Sequence, residues 1–409
     1  MRGQAVKRLG LVLAALGVGM VALELSADRW FPIGGVVYRA DDVLLHDARP
    51  NAARIQPMPA ENVGPGDAAR VFVSTGAEGY RGASLDQPKT RPRVLVMGDS
   101  LVMAENVPDQ STFVRQLGRA LERECQLSPG AIETVNAGRS GYGPDQALLL
   151  LERDGRTVAP DLVVIVLCAH NDLGDLMRNK LFRLGTDGAL EACQPFLGDR
   201  MRGWFRSGHA ESERLAIARL WDFYRGPKAA PDQAPPSAIE LYLAALHEQF
   251  EDHVIRKDRE VVSLFEDIYD ADVALGVDAS IAIKSRLMNE IAQRASRFCA
   301  EDLDGTPLRF VIVPSAVDVC EAFDIRVDPK RHPGYDPSRL GTTMATAVAS
   351  AGQPSAFDLT ETLASAGDTD SLFVGGTDIH WNAAGQRLCA DAVAVWLAGD
   401  GSVRPGLVR

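Results

Sequence analysis

The sequence is short of positive charge, short of aromatic residues and empty of the motifs that hold metals or nucleotide phosphates. Its 409 residues carry 55 Asp and Glu against 43 Lys and Arg, for a net charge of −12. Nucleic acid is bound through a basic surface, and no basic stripe interleaved with aromatics occurs, so a nucleic-acid partner is excluded. The six cysteines, Cys125, Cys168, Cys193, Cys299, Cys320 and Cys389, contain no CxxC pair, which excludes a zinc ribbon and a thioredoxin-like site. HExxH, a Walker loop and a dinucleotide-binding glycine fingerprint are all missing. No metal and no organic cofactor is expected. There is no internal repeat and no low-complexity tract. What remains, at 46% hydrophobic residues, is the composition of a globular chain long enough for one large domain with insertions or for two domains.

The N-terminus is set apart. Met1 to Arg8 is basic, Leu9 to Leu23 is uninterrupted apolar sequence with glycines, and Glu24 follows. A positive flank before an apolar run places the N-terminus in the cytoplasm and the remainder across a membrane. The run is slightly short for a span of about 20 residues, and the alternative is the apolar core of a cleaved signal peptide. The residues around Ala22, Leu25 and Ala27 offer no small-x-small cleavage site, so residues 1–27 are expected to be a retained anchor. In an exported domain six cysteines are compatible with disulfides, but spacing does not pair them. Cys168 and Cys389 lie inside apolar patterns and read equally well as buried free thiols.

Residues 28–91 read as a linker that packs loosely on the domain, with a short strand at Val71 to Ser74. From there strands alternate with helices. Arg93 to Met97 is an apolar, β-branched run ending in Gly98-Asp99-Ser100, and Gln110 to Arg123 follows at helical spacing. Ile132 to Asn136 is a second strand, closed by the glycine-rich Ala137 to Gly143 and a helix over Asp145 to Asp154. Leu162 to Cys168 is continuously apolar, as in a strand covered on both faces, and ends at His170-Asn171-Asp172. Leu308 to Pro314 and Ser355 to Leu359 are further strands, and Ala383 to Leu397 is a final helix. The alternation implies a parallel α/β sheet. Residues 173–278 carry no comparable strand and read as a helical insertion over the sheet edge. Within it Ile239, Leu243, Leu246, Phe250 and Val254 fall at helical spacing, and Arg256 to Glu260 is a solvated helix face.

In a parallel sheet the polar residues at the strand ends converge on one edge, where such proteins bind ligands. Ser100, Gly141, Asn171 and the Asp378/His380 pair supply what acyl transfer needs. A serine requires a base, the base an orienting acid, and the tetrahedral oxyanion hydrogen-bond donors. His380 can be the base and Asp378 its orienting acid. The Ser100 N–H, the Gly141 N–H and the Asn171 amide can be the donors. Each has a plainer reading: Ser100 as a turn serine, Asp378 as an N-cap of the final helix, His380 as a surface histidine, Asn171 as a loop cap, Gly141 as a turn glycine. Ser140 is a rival nucleophile, but Tyr142 breaks the GxSxG pattern. His170 reads as structural, Asp172 as a brace of its loop and Trp381 as packing of the final helix. His46, His209, His247, His253 and His332 have no partner in sequence and receive no role.

The four blocks Gly98-Asp99-Ser100, Asn136 to Gly141, His170-Asn171-Asp172 and Asp378-Ile379-His380 resemble, in order and content, those of the SGNH hydrolases, also called the GDSL family. The resemblance spans about Pro92 to Leu397 without the insertion. It implies a flavodoxin-like three-layer sandwich over residues 92–398 and a cofactor-free serine esterase using Ser100, His380 and Asp378. Two departures stand out. Ala169 occupies a position, two before Asn171, where the family often has Gly, and a single residue separates Asp378 from His380 where two are usual. Asp378 to Asn382 is similar to the branch that contains alginate O-acetyltransferase-like proteins and membrane-anchored relatives. Three functions are therefore weighed: hydrolysis of O-acyl esters, with an acylated glycan among the substrates; O-acetyl transfer to a polysaccharide by the same triad; and glycan binding without catalysis. With the anchor, the resemblance implies a single-pass inner-membrane protein whose catalytic domain faces the periplasm. The oligomeric state is not assigned.

Overall fold

The computed structural model describes residues 2–30, 37–58, 70–179, 181–193, 270–320, 330, 333–352, 355–374 and 378–401. Five strands form one parallel sheet: β5 (Arg93–Met97), β6 (Glu133–Asn136), β7 (Leu162–Cys168), β10 (Leu308–Val313) and β11 (Ala356–Asp358). Their spatial order is β11-β10-β7-β5-β6, and every neighbouring pair is parallel. Renumbered within the sheet this is 2-1-3-4-5, the flavodoxin-like order. The chain runs from β5 outward to β6, then crosses back to β7 on the other side. The crevice beyond the carboxyl ends of β5 and β7 is the topological switch point.

The period-2 alternation of strand side chains sorts the sheet into two cores. Leu95, Met97, Val135, Val163, Ile165 and Leu167 face one layer of helices. This layer consists of α4 (Pro144–Val158), α6 (Asp278–Glu301) and α7 (Ser338–Ser350). Val94, Val96, Val164, Val166 and Cys168 face the other. There α3 (Phe113–Glu124) packs against α8 (Ala383–Gly399). β5 and β7 are buried along their whole length. Each such Val, Leu or Ile contributes about 1.5–3 kcal/mol relative to exposure. The helix starts are capped as their sequences dictate: the Thr112 side chain accepts from Arg115 N–H, and the Asn382 side chain from Ala384 and Gly385 N–H.

The segment expected as a loosely packed linker contributes to the core. β1 (Tyr38–Asp41) pairs antiparallel with β2 (Leu45–Ala48), and β3 (Ala53–Pro57) with β4 (Arg70–Ser74). Val37, Leu44, Leu45, Val71, Val73 and Tyr80 are buried. The expected insertion begins with a helix, α5 (Asp172–Asn179), followed by a hairpin of β8 (Phe182–Leu184) and β9 (Leu190–Ala192). Its helical spacing from Ile239 to Val254 and its charged group at Arg256 lie outside the described residues, as do His209, His247, His253 and His332. No two cysteines are joined, and Cys168 and Cys389 are buried thiols.

The expectation of a membrane-crossing anchor is not supported. The N-terminal sequence forms one helix, α1 (Arg2–Trp30). Among the described residues no helix is long and apolar enough to cross a membrane. The apolar run within α1 is closed off by Lys7 and Arg8 on one side and Glu24 on the other. From Leu9 to Leu23 it covers about 22 Å at 1.5 Å per residue, against about 30 Å of bilayer hydrocarbon.

Candidate active site

Ser100 opens α2 (Ser100–Met103), one helical turn directly after β5. The approach of backbones around that turn requires Gly98: a Cβ there would lie 2.7 Å from Val102 Cγ2 and 2.8 Å from the Val166 carbonyl. Asp99 caps the turn, its carboxylate accepting from Leu101 N–H at 2.9 Å. The far end of the turn is closed by Arg81, which is buried. Its guanidinium donates to the carbonyls of Met103 at 2.7 Å, Ala104 at 2.8 Å and Val107 at 2.6 Å. A cation at the carbonyl end of a helical turn satisfies acceptors that the turn itself leaves open. In the sequence Arg81 is merely part of a turn.

His380 arrives from the other end of the chain. Its Nε2 lies 2.7 Å from Ser100 Oγ, and its Nδ1 lies 2.5 Å from Asp378 Oδ1. A carboxylate only accepts, so Nδ1 carries the proton and Nε2 is left to accept from the serine hydroxyl. Asp378 Oδ1 also accepts the His380 backbone N–H at 2.9 Å, which a spacing of one intervening residue permits. Burial alone would lower the His380 ring. The hydrogen bond and charge of Asp378 outweigh it, with Asp99 and Glu105 adding, and the ring is held above its ordinary 6.5. Conversely, burial would raise the Asp378 carboxyl, but His380 holds it below 3.8. Both side chains remain about 30% exposed. The turn that carries them is fixed by Asn106 Nδ2, which donates to the Trp381 carbonyl at 2.7 Å, and by Trp381 itself, buried against Phe113. Trp381 therefore packs the final helix.

The opposite wall is closed. Gly141 sits at φ +78°, a left-handed conformation suited to glycine, in the loop after β6. Asn171 follows β7 and is buried. Its amide donates one N–H to Asp175 Oδ2 at 2.7 Å, and the side chain lies close to the Asp99 carboxyl, the neighbour of Ser100. His170 is held by Ser315, with Nδ1 2.9 Å from its Oγ; burial first, and nearby His380 second, push its ring down to about 3. A ring whose proton affinity is lowered this far is a poor proton acceptor. Asp172 Oδ2 accepts from Cys168 N–H at 2.8 Å and braces the loop. Asp99, Asp145, Asp172 and Asp175 are all buried on this side. Burial pushes Asp145 and Asp175 up to about 7 and raises Asp172 well above its usual range. Among the described residues no cluster is arranged to hold a metal ion.

Ser140 Oγ lies 3.3 Å from Glu105 Oε2 and is not within hydrogen-bond reach of a histidine side chain. The structure therefore brings Ser100, His380 and Asp378 into one relay, sets Asn171 beside Asp99, and leaves Ser140 apart from it. Sequence reasoning missed Arg81, His46 and Arg178, whose carbonyl partners lie 22 or more residues away, and Asp175, whose carboxylate accepts from Asn171.

The site can deliver an oxygen nucleophile with a built-in proton acceptor. Solved structures of the SGNH/GDSL lipase–acylhydrolase kind are similar to this chain. One, a lipase/acylhydrolase from Enterococcus faecalis, is 12% identical over 76% of this chain and 96% of its own, with a TM-score of 0.36. TesA is 16% identical over 77% and 99%, with a TM-score of 0.32. Axe2, an acetylxylan esterase from Geobacillus stearothermophilus, is 11% identical over 75% and 93%, with a TM-score of 0.32. No family model matches the sequence, and no curated protein matches it.

Proposed function

We propose that this chain is an SGNH-type serine esterase acting on carboxylic esters, with O-acyl groups, those of glycans among them, as substrates. The observation that supports the reading is the unbroken hydrogen-bonded relay from Ser100 Oγ through the His380 ring to Asp378. In the acylation step Ser100 Oγ attacks the ester carbonyl while its proton passes to His380 Nε2. The carbonyl electron pair collects on oxygen, facing the N–H groups of Ser100 and Gly141 and the Asn171 amide. Collapse expels the alcohol, which takes the proton back from His380. Water then repeats the sequence on the acyl-enzyme, releasing the acid and restoring Ser100. Asp378 keeps the ring in the tautomer that the first step needs.

The experiment is labelling with a fluorophosphonate probe together with turnover of p-nitrophenyl acetate. Both should depend on Ser100, and a Ser100→Ala protein that kept both would sink the proposal. Adding a glycan acceptor to the same assay separates hydrolysis from O-acetyl transfer: p-nitrophenol leaves in both, free acetate as the sole acetyl product favours the esterase, acetylated glycan the transferase. Glycan binding without any labelling would favour a non-catalytic role. The reading also includes export of the catalytic domain, suggested by the basic-then-apolar start of the sequence. An alkaline phosphatase fusion after residue 30 should be active only if that segment directs export.

A further inference from the structure

The direction of the Gly141 N–H is governed by the two carbonyls on either side of it. The Ser140–Gly141 peptide is planar and trans, so this N–H points opposite to the Ser140 carbonyl. That carbonyl lies 2.9 Å from His46 Nε2. A carbonyl only accepts, so His46 carries a proton on Nε2 and donates it. The next carbonyl, that of Gly141, accepts from Arg178 Nη2 at 2.6 Å. The Ser140 N–H is held as well, donating to Tyr38 Oη at 3.0 Å. Among the described residues the Gly141 N–H itself donates to nothing.

Neither donor is free to swing away. His46, in β2, is buried and meets the Tyr38 and Tyr142 rings edge-on, with centroids 5.6 and 5.0 Å away. The Tyr142 hydroxyl donates to the His46 carbonyl at 2.8 Å. Arg178, in α5, is paired with Asp175 at 2.8 Å, and the other Asp175 oxygen accepts from the Asn171 amide at 2.7 Å. One carboxylate thus joins the grip on Gly141 to the side chain of Asn171.

We infer that His46 and Arg178 are positioning residues of the oxyanion site, aiming the Gly141 N–H through the carbonyls that flank it, with Asp175 tying that aim to Asn171. This rests on the reading of Gly141 and Asn171 as oxyanion donors. His46 and Arg178 touch no reacting atom. They hold still a backbone that would otherwise present its N–H at a range of angles. Loss of a whole oxyanion donor costs about 10²–10³ in kcat, and misdirecting one should cost part of that.

The test uses the full-length protein and p-nitrophenyl acetate. His46→Leu removes the donor and keeps bulk, and His46→Gln returns a side-chain N–H near the position of Nε2. The Leu variant should lose about 10- to 100-fold in kcat, with KM within about twofold. The Gln variant should recover to within about fivefold of the parent. The acid limb of the pH–rate profile, which belongs to His380, should not move in either. Arg178→Met and Arg178→Lys form a second pair with the same expectation and keep the question answerable if His46→Leu folds poorly. A parental kcat in both His46→Leu and Arg178→Met would overturn the inference. So would equal losses in the Leu and Gln variants and in the Met and Lys variants, the mark of a merely structural role. If Ser100→Ala abolishes labelling while His46→Leu and Arg178→Met both keep full kcat, the clamp alone fails. If Ser100→Ala still turns over ester, the esterase reading fails with it.

Discussion

The two walls of the Ser100 crevice are built on opposite plans. On one wall Asp378 and His380 are neighbours in sequence, share one turn and remain about 30% exposed. On the other, Gly141 and Asn171 are held by His46, Asp175 and Arg178, drawn from β2 and α5 and all buried. On the proposed reading the difference follows from what each wall would do. A base exchanges protons and must meet solvent and a leaving group. Its orienting acid only has to fix a tautomer, which a local turn can do. A site that stabilises developing charge gains by already being in place when the charge appears, because reorganisation then costs nothing. Such rigidity comes from burial and from partners in several chain segments.

The comparison is broken most severely on the open wall. Ser100→Ala or His380→Ala should lower kcat by about 10⁴-fold or more and abolish probe labelling. Asp378→Asn should cost about 10⁴-fold, since Nδ1 loses the acceptor that selects its tautomer. On the closed wall Asn171→Ala should cost about 10²-fold in kcat with little change in KM. A loss as large as that of Ser100→Ala would mean that Asn171 does more than donate one hydrogen bond.

The pH dependence sharpens the same contrast. His380 works as a base only when neutral. Because Asp378 holds its ring above 6.5, kcat/KM should fall about tenfold per pH unit on the acid side of that raised value. Asp378→Asn should move the limb to lower pH, and an unmoved limb would assign it to another group. The smallest effect expected concerns stability. In the folded chain Asp145 titrates at about 7, against about 3.9 when unfolded. Between these values the folded state binds the additional proton, so stability is lost as pH rises from about 4 to about 7. Asp145→Asn removes that loss. Its Tm should exceed the parent's by a few degrees at pH 8, and the gap should close at pH 4, both read by calorimetry.

How much of this was legible in the sequence follows the same division. The sheet was readable because its three central strands are largely apolar, often β-branched runs. Leu162–Cys168 has the bounds expected of it, and Leu308–Val313 differs by one residue. Of the antiparallel pairs β1–β2 and β3–β4 only β4 was readable, as the short strand expected at Val71 to Ser74. Tyr38-Arg39-Ala40-Asp41 alternates apolar and polar residues, but four residues without a β-branched side chain are too short to stand out, and they become a strand only against a partner. Helix α7 was hidden by Pro329, Pro333 and Pro337, which mark a loop up to its first turn. Ser100 and His380 could be singled out because each lies on a turn beside a recognisable element. His46 could not, because the carbonyl it holds is 94 residues away and carries no side-chain signal. Asp175 and Arg178 were lost in what looked like the start of an insertion. Arg81 shows the same limit, since backbone acceptors are invisible in a sequence.

Ser100 and His380 are separated by 280 residues. A ribosome adding about 5–20 residues per second takes roughly 14–56 s to cover that interval. Throughout it the growing chain carries Ser100 with no base to activate it. On the proposed reading the serine becomes reactive only when the turn holding Asp378 and His380 docks over it, fixed by Asn106 and Trp381. A chain whose synthesis stops anywhere before that turn would then be unable to attack an ester.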